Sequence, residues 1–120
     1  MYNNLFFVHC DVDAADAIAA TYRGRGWSTT VSAARATDAL EQVSAAQPVA
    51  AVFCLDGERV EEVQSLAAQV VADPGCGNPL MLFVAGTPDD VVKARSIAPH
   101  GIFVSADELP WVLKRLVVKT

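Results

Sequence analysis

The 120-residue sequence predicts an α/β domain built on a doubly wound, five-stranded parallel sheet. Short apolar runs of strand length alternate with segments whose apolar residues recur at helical spacing, which is the pattern of βαβ units. Turn and capping residues fall at the joints between these segments and not inside them. A composition of 52% hydrophobic and 19% charged residues supplies one core and lies far from the signature of disorder, so residues 1–120 read as one domain.

The elements follow in order. Leu5-Phe6-Phe7-Val8 is the first strand, and Ala15, Ile18, Ala19 and Tyr22 then mark a helix that Gly24 and Gly26 bring to an end. Ser28 to Val31 is a weaker second strand, followed by a helix carried by Leu40 and Val43. Val49 to Leu55 and Leu80 to Ala85 are almost uninterrupted apolar runs, as strands covered on both faces require. Between them Val63, Leu66, Ala67 and Val70 keep helical spacing up to the break at Asp73-Pro74-Gly75. Thr87-Pro88-Asp89-Asp90 opens the fourth helix with a cap, a first-turn proline and two acids at the positive end of the helix dipole, and Val91, Ala94 and Ala98 continue it. Ile102-Phe103-Val104 is the fifth strand, and Leu109, Val112, Leu113 and Leu116 form one face of the last helix. Pro110 has no N–H to donate and fits only the first turn of that helix, which makes Asp107 the expected N-cap in preference to Ser105.

Several function classes are disfavoured by composition. Nine basic against 14 acidic residues leave a net charge of −5, whereas gripping phosphate backbones or an anionic membrane needs clustered Lys and Arg. No nucleic acid and no membrane partner is therefore expected. The first residues, Met1-Tyr2-Asn3-Asn4, lack the basic stretch of a secretory leader, and no apolar run approaches the roughly 18 to 20 residues of a membrane span, so a soluble, cytoplasmic chain is expected. Cys10, Cys54 and Cys76 are odd in number and widely spaced, which suits reduced thiols, and Cys76 within Gly75-Cys76-Gly77-Asn78 reads as exposed in a loop. A dinucleotide or flavin cofactor needs a glycine- or hydroxyl-rich loop after the first strand, but that loop is His9-Cys10-Asp11-Val12-Asp13, and Gly24-x-Gly26 follows a helix. With no nucleophile-elbow pattern either, neither cofactor nor catalysis is expected.

In a doubly wound sheet the functional crevice lies beyond the carboxyl ends of the strands, which directs attention to His9-Cys10-Asp11, Cys54-Leu55-Asp56, Val84-Ala85-Gly86-Thr87 and Ser105-Ala106. On these residues the chain resembles the receiver domain of two-component response regulators over nearly its whole length. Leu5 to Val8, His9-Cys10-Asp11 and Val12 to Asp16 fall into that family's strand, acidic run and helix, Pro48 precedes the third strand, and Ala98-Pro99-His100-Gly101-Ile102-Phe103-Val104 is similar to its approach to the fifth. The resemblance implies a flavodoxin-like (β/α)5 topology with strand order 2-1-3-4-5 and a place in two-component signalling or a phosphorelay. It also implies where phosphoryl chemistry would sit. The metal-binding acidic pair falls on His9 and Cys10, leaving Asp11 as the one carboxylate of that run; the phosphoacceptor falls on Cys54, the hydroxyl residue on Val84 and the lysine on Ser105.

Phosphoryl transfer needs a carboxylate nucleophile, a divalent cation held by further carboxylates, and a lysine and hydroxyl to take up developing charge. An imidazole, a thiol, an isopropyl group and a serine supply almost none of this, so the resemblance is to a degenerate receiver, a pseudo-receiver that holds no metal and acts by protein contacts. Two alternatives stay open. A register shift of two residues places Asp56 at the acceptor position, giving a phosphorylatable receiver that still lacks the lysine and the hydroxyl. Alternatively Cys10, Cys54 and His9 form a thiol- or ligand-sensing group, against the plainer reading of each cysteine as a small buried apolar residue and of His9 as a pocket-lining one.

The last helix carries a further signal. Its apolar face leaves Trp111 pointing away, with Lys114 and Arg115 at its flanks, unless the ring packs on its neighbours or on the start of the fourth helix. Trp27, after Gly26, closes the edge of the core. The resemblance implies a partner face on the fourth helix, fifth strand and fifth helix, with Val91, Arg95, Phe103, Trp111, Lys114 and Arg115 as its candidate residues. The occupant would be a protein partner, an attached output domain or a second copy in a homodimer.

Overall fold

The computed structural model describes residues 4–9, 11–33, 38–55, 59–77, 79–105 and 107–118. Cys10, Asp56 and Ala106, and the side chain of Leu116, lie outside the described residues. Strands and helices alternate as β1 (Asn4–His9), α1 (Val12–Arg23), β2 (Ser28–Ala33), α2 (Ala39–Ala46), β3 (Ala50–Cys54), α3 (Val60–Ala72), β4 (Leu80–Val84), α4 (Pro88–Ile97), β5 (Ile102–Val104) and α5 (Leu109–Val118), with a 3-10 turn at Pro74–Cys76 between α3 and β4. All strand pairs are parallel and the sheet order is β2-β1-β3-β4-β5, as expected.

Strand periodicity divides the core in two. Leu5, Phe7, Ala50, Val52 and Leu82 face one side, where they meet Ala15, Ala19 and Tyr22 of α1 and Leu109 and Leu113 of α5. Phe6, Val8, Ala51, Phe53, Met81 and Phe83 face the other, against α2, α3 and α4. On that second side three rings from adjacent strands stack in a row, Phe53 on Phe83 at 5.5 Å and Phe83 on Phe103 at 4.9 Å between centroids. Trp27 is buried at the margin of the first side and closes it, as its position after Gly26 suggests.

Two local expectations are corrected. Cys76 is fully buried in the α2–α3–α4 core and is not a loop-exposed thiol. The Asp73 carboxylate accepts the Gly75 N–H at 2.8 Å, while the Ser44 hydroxyl and the Gln47 amide donate to the Gly75 carbonyl at 3.1 and 2.7 Å. These bonds draw the Pro74–Cys76 turn onto α2 and press the thiol inward. At α5 the capping residue is Ser105 and not Asp107: the Ser105 hydroxyl accepts the Glu108 N–H at 3.2 Å and Glu108 Oε1 accepts the Ser105 N–H at 2.9 Å. Pro110 does occupy the first turn, and Thr87 and Asp90 make the same reciprocal arrangement at the start of α4.

Candidate functional site

The carboxyl ends of the strands place the predicted site residues in one row. Cys54 is level with Val84 and Val84 with Val104, and continuing the β1–β3 register one step beyond Val8 and Phe53 brings His9 level with Cys54. Each of these residues lies two positions beyond Phe7, Val52, Leu82 or Ile102, so the row lies on the α1–α5 side of the sheet. It is closed to solvent: His9 is 6%, Cys54 1% and Val84 5% exposed. An imidazole, a thiol and an isopropyl group therefore stand side by side where a doubly wound sheet has its crevice.

On the other side of the sheet the neighbouring backbone is closely packed as well. After β4 the chain turns through two successive left-handed residues, Ala85 at φ 65° and Gly86 at φ 94°. Leu55 lies directly against this turn, its N–H donating to the Val84 carbonyl at 2.9 Å, and a Cβ on Gly86 would come within 2.7 Å of the Leu55 Cβ. Glycine is needed there both for its φ and for the close approach of the leucine. Leu55 is buried and belongs to the α2–α3–α4 core, so the space between the ends of β3 and β4 is filled by an apolar side chain.

The polar groups around the row have local tasks. His9 Nδ1 accepts the Asp11 N–H at 3.0 Å, which fixes the plane of the imidazole. The Asp11 carboxylate accepts the Asp13 N–H at 3.0 Å and caps α1, in contact with solvent. Ser105 follows Val104 at the end of β5, with its hydroxyl engaged in the α5 cap. Thus His9, Cys54 and Val84 come together, whereas Asp11 and Ser105 are occupied at helix starts. Among the described residues no group of three or more His, Cys, Asp or Glu is placed to hold a metal ion.

The proposed partner face has a definite geometry. Trp111 is 69% exposed, with Lys114 Nζ 5.9 Å from its ring centroid, and so points to solvent and not onto α4. The Arg95 guanidinium of α4 lies 5.1 Å from the centroid of Phe103, tying the helix to the half-buried β5. Arg115 is exposed and Val91 half-buried, while Val92, which the sequence reading passed over, is exposed beside them on α4. A sequence signal existed for this omission: the Val91-Val92 pair must send one residue outward.

No family model matches the sequence, and no curated protein matches it either. Solved structures match the fold. The chemotaxis protein CheY4 of Vibrio cholerae superposes with a TM-score of 0.75 at 11% identity, covering 96% of this chain and 98% of its own. The CheY-like response regulator receiver domain protein of Methanospirillum hungatei gives 0.72 at 14% identity, covering 99% and 96%. The signal receiver domain of a signal transduction histidine kinase from Syntrophus aciditrophicus gives 0.74 at 15% identity, covering 98% and 92%. The chain thus has the flavodoxin-like fold of response-regulator receiver domains.

Proposed function

We propose that residues 1–120 form a receiver-like signalling module that works without phosphorylation and regulates a protein partner, or an output domain attached to it, through surface contacts. One observation carries this reading: the row of His9, Cys54 and Val84 is buried, with Leu55 packed beneath Gly86 on the other side of the sheet, at the strand ends where the resemblance puts a receiver's phosphoacceptor and cation. A phosphodonor and a divalent cation need open, oxygen-lined space, because the cation must exchange water for carboxylates and the phosphoryl oxygens must meet positive charge. The row offers neither.

With the crevice closed, recognition passes to the α4, β5 and α5 face. Trp111 with Lys114, and Phe103 with Arg95, are the aromatic and cationic pairs that anchor protein interfaces. A matching receiver structure comes from a histidine kinase, which supports the reading of an attached domain as one kind of partner. Among the described residues no helix is long and apolar enough to cross a membrane.

A Mg2+ titration followed by backbone amide shifts tests the reading. The amides of Asp11, Leu55 and Ala85 are expected to show no saturable change. A saturating shift centred on these residues would overturn it, because a receiver that binds the cation retains the first requirement for phosphorylation.

A further inference from the structure

β2 is an outer strand that pairs with β1 along its whole length, from Asn4 with Ser28 to His9 with Ala33, without a break in register. Among the described residues it has no second neighbour, and Ser28 and Thr30 are exposed along it, while Ser32 near its end is buried. Proteins ordinarily blunt such an edge with charge, proline, a bulge or brevity. The opposite edge does so: β5 has three residues, and Arg95 lies over its Phe103 ring. The six residues of β2, Ser-Thr-Thr-Val-Ser-Ala, carry no charge and no proline, and their register has no bulge.

We propose that the β2 edge binds a second copy of this chain, the two β2 strands running antiparallel about a two-fold axis at Thr30. Residues directly opposed across an antiparallel pair share a face of the sheet, and centring on Thr30 meets that condition while keeping α1 of both copies on one side. Thr30 then faces Thr30, hydroxyl against hydroxyl, and Ser28 faces the buried Ser32, whose own hydroxyl donates to the Ala33 carbonyl at 3.1 Å, while Thr29 faces Val31, a pairing of β-branched residues. No like charges meet.

Helix α1 adds a complementarity of charge that favours a second copy over another occupant. It packs over β1 and β2 and exposes Asp16 and Arg23, joined within the chain at 2.8 Å, with the small exposed residues Ala17 and Ala20 between them. Arg23 Nε donates to Thr29 Oγ1 at 2.5 Å, which places the guanidinium at the level of Thr29. Asp16 lies seven residues earlier, roughly 10 Å along the helix, but its carboxylate meets the same guanidinium at 2.8 Å, so both charged groups lie near the level of Thr29 and Thr30. The two-fold carries the level of Thr29 to that of Val31. Each Asp16 carboxylate therefore comes within about two strand residues of the level of the second copy's Arg23. With strands about 4.8 Å apart, the two α1 helices lie roughly 10 Å from each other, a spacing at which helices pack.

Sedimentation equilibrium of the whole chain from micromolar to about 1 mM, followed by hydrogen exchange, tests this. The wild type is expected to approach twice the 12.7 kDa chain mass as concentration rises. Thr30→Lys sets two ammonium groups against each other at the axis and should weaken the dimer at least about tenfold. Asp16→Arg should weaken it, and Asp16→Arg combined with Arg23→Asp should restore it. Trp111→Ala, on the α4, β5 and α5 face, should leave it unchanged. If Thr30→Lys compromises folding, exchange in the wild type decides: the amides of Ser28–Ala33 must slow with concentration. A 12.7 kDa monomer at every concentration, a dimer indifferent to Thr30→Lys or dissociated by Trp111→Ala, or concentration-independent exchange in β2 would each overturn the proposal.

Discussion

Cys76 shows how a single residue escapes a local reading. Between two glycines and after a proline it looks like part of a loop, yet the bonds that bury it come from Ser44 and Gln47, 31 and 28 residues away from Gly75 in the chain. Nothing in the neighbouring sequence announces partners at that distance. Burial raises the pKa of the Cys76 thiol, and the Asp73 carboxylate raises it further. Burial likewise raises that of Tyr22, against the opposing charge of Arg25. Both groups are held protonated in the folded chain, so above the ordinary thiol pKa of about 8.5 the unfolded state binds fewer protons than the native one. The stabilisation from these groups is complete below that pH and is lost as pH rises toward the folded-state values. Urea denaturation across pH 7 to 11 is expected to show stability falling from about pH 8.5 upward, with a smaller fall in Cys76→Ala. A thiol reagent should modify Cys76 only as the chain opens; rapid labelling of Cys76 in the native chain would refute the burial.

At the scale of elements, the sequence revealed which segments are strands and helices more fully than how each one starts. Apolar periodicity is a property of ten or so residues together, and it survives the uncertainty of any one position. A cap depends on a single hydroxyl and its geometry. Ser105-Ala106-Asp107-Glu108 does contain the Ser-x-x-Glu signature of a capping box, but Pro110 draws attention to Asp107, two positions closer to the helix. The structure resolves this in favour of the reciprocal Ser105–Glu108 bonds. Ser105→Ala should therefore cost about 1 kcal/mol of stability, whereas Asp107→Ala should lie within about 0.5 kcal/mol of the parent chain. Thermal or urea unfolding of the two variants separates these outcomes, and equal losses would contradict the assignment. The same comparison bears on function, since a serine engaged in holding α5 in place has a structural task where a receiver's lysine would have a chemical one.

For the whole molecule, the strand-end positions were legible because a doubly wound parallel sheet always gathers its functional residues at one edge. Legible too were the residue types that stand there, His9, Cys54, Val84 and Ser105. What could not be read was the mutual packing: that Leu55 lies against the Ala85-Gly86 turn follows from two positive φ angles and a contact between residues 31 apart in number, which no local pattern encodes. The outward Trp111 was legible from helical period alone, whereas the Arg95–Phe103 contact joins a helix to a strand and required the fold. The account thus rests on a receiver fold whose strand ends bury His9, Cys54 and Val84, and on the proposal that its surface does the work of recognition. Incubation of the chain with acetyl phosphate and Mg2+, read by intact mass, tests this most directly. The account predicts an unchanged mass under conditions that phosphorylate an active receiver run alongside; a phosphoryl adduct, at Asp56 or at any other residue of the strand ends, would contradict it.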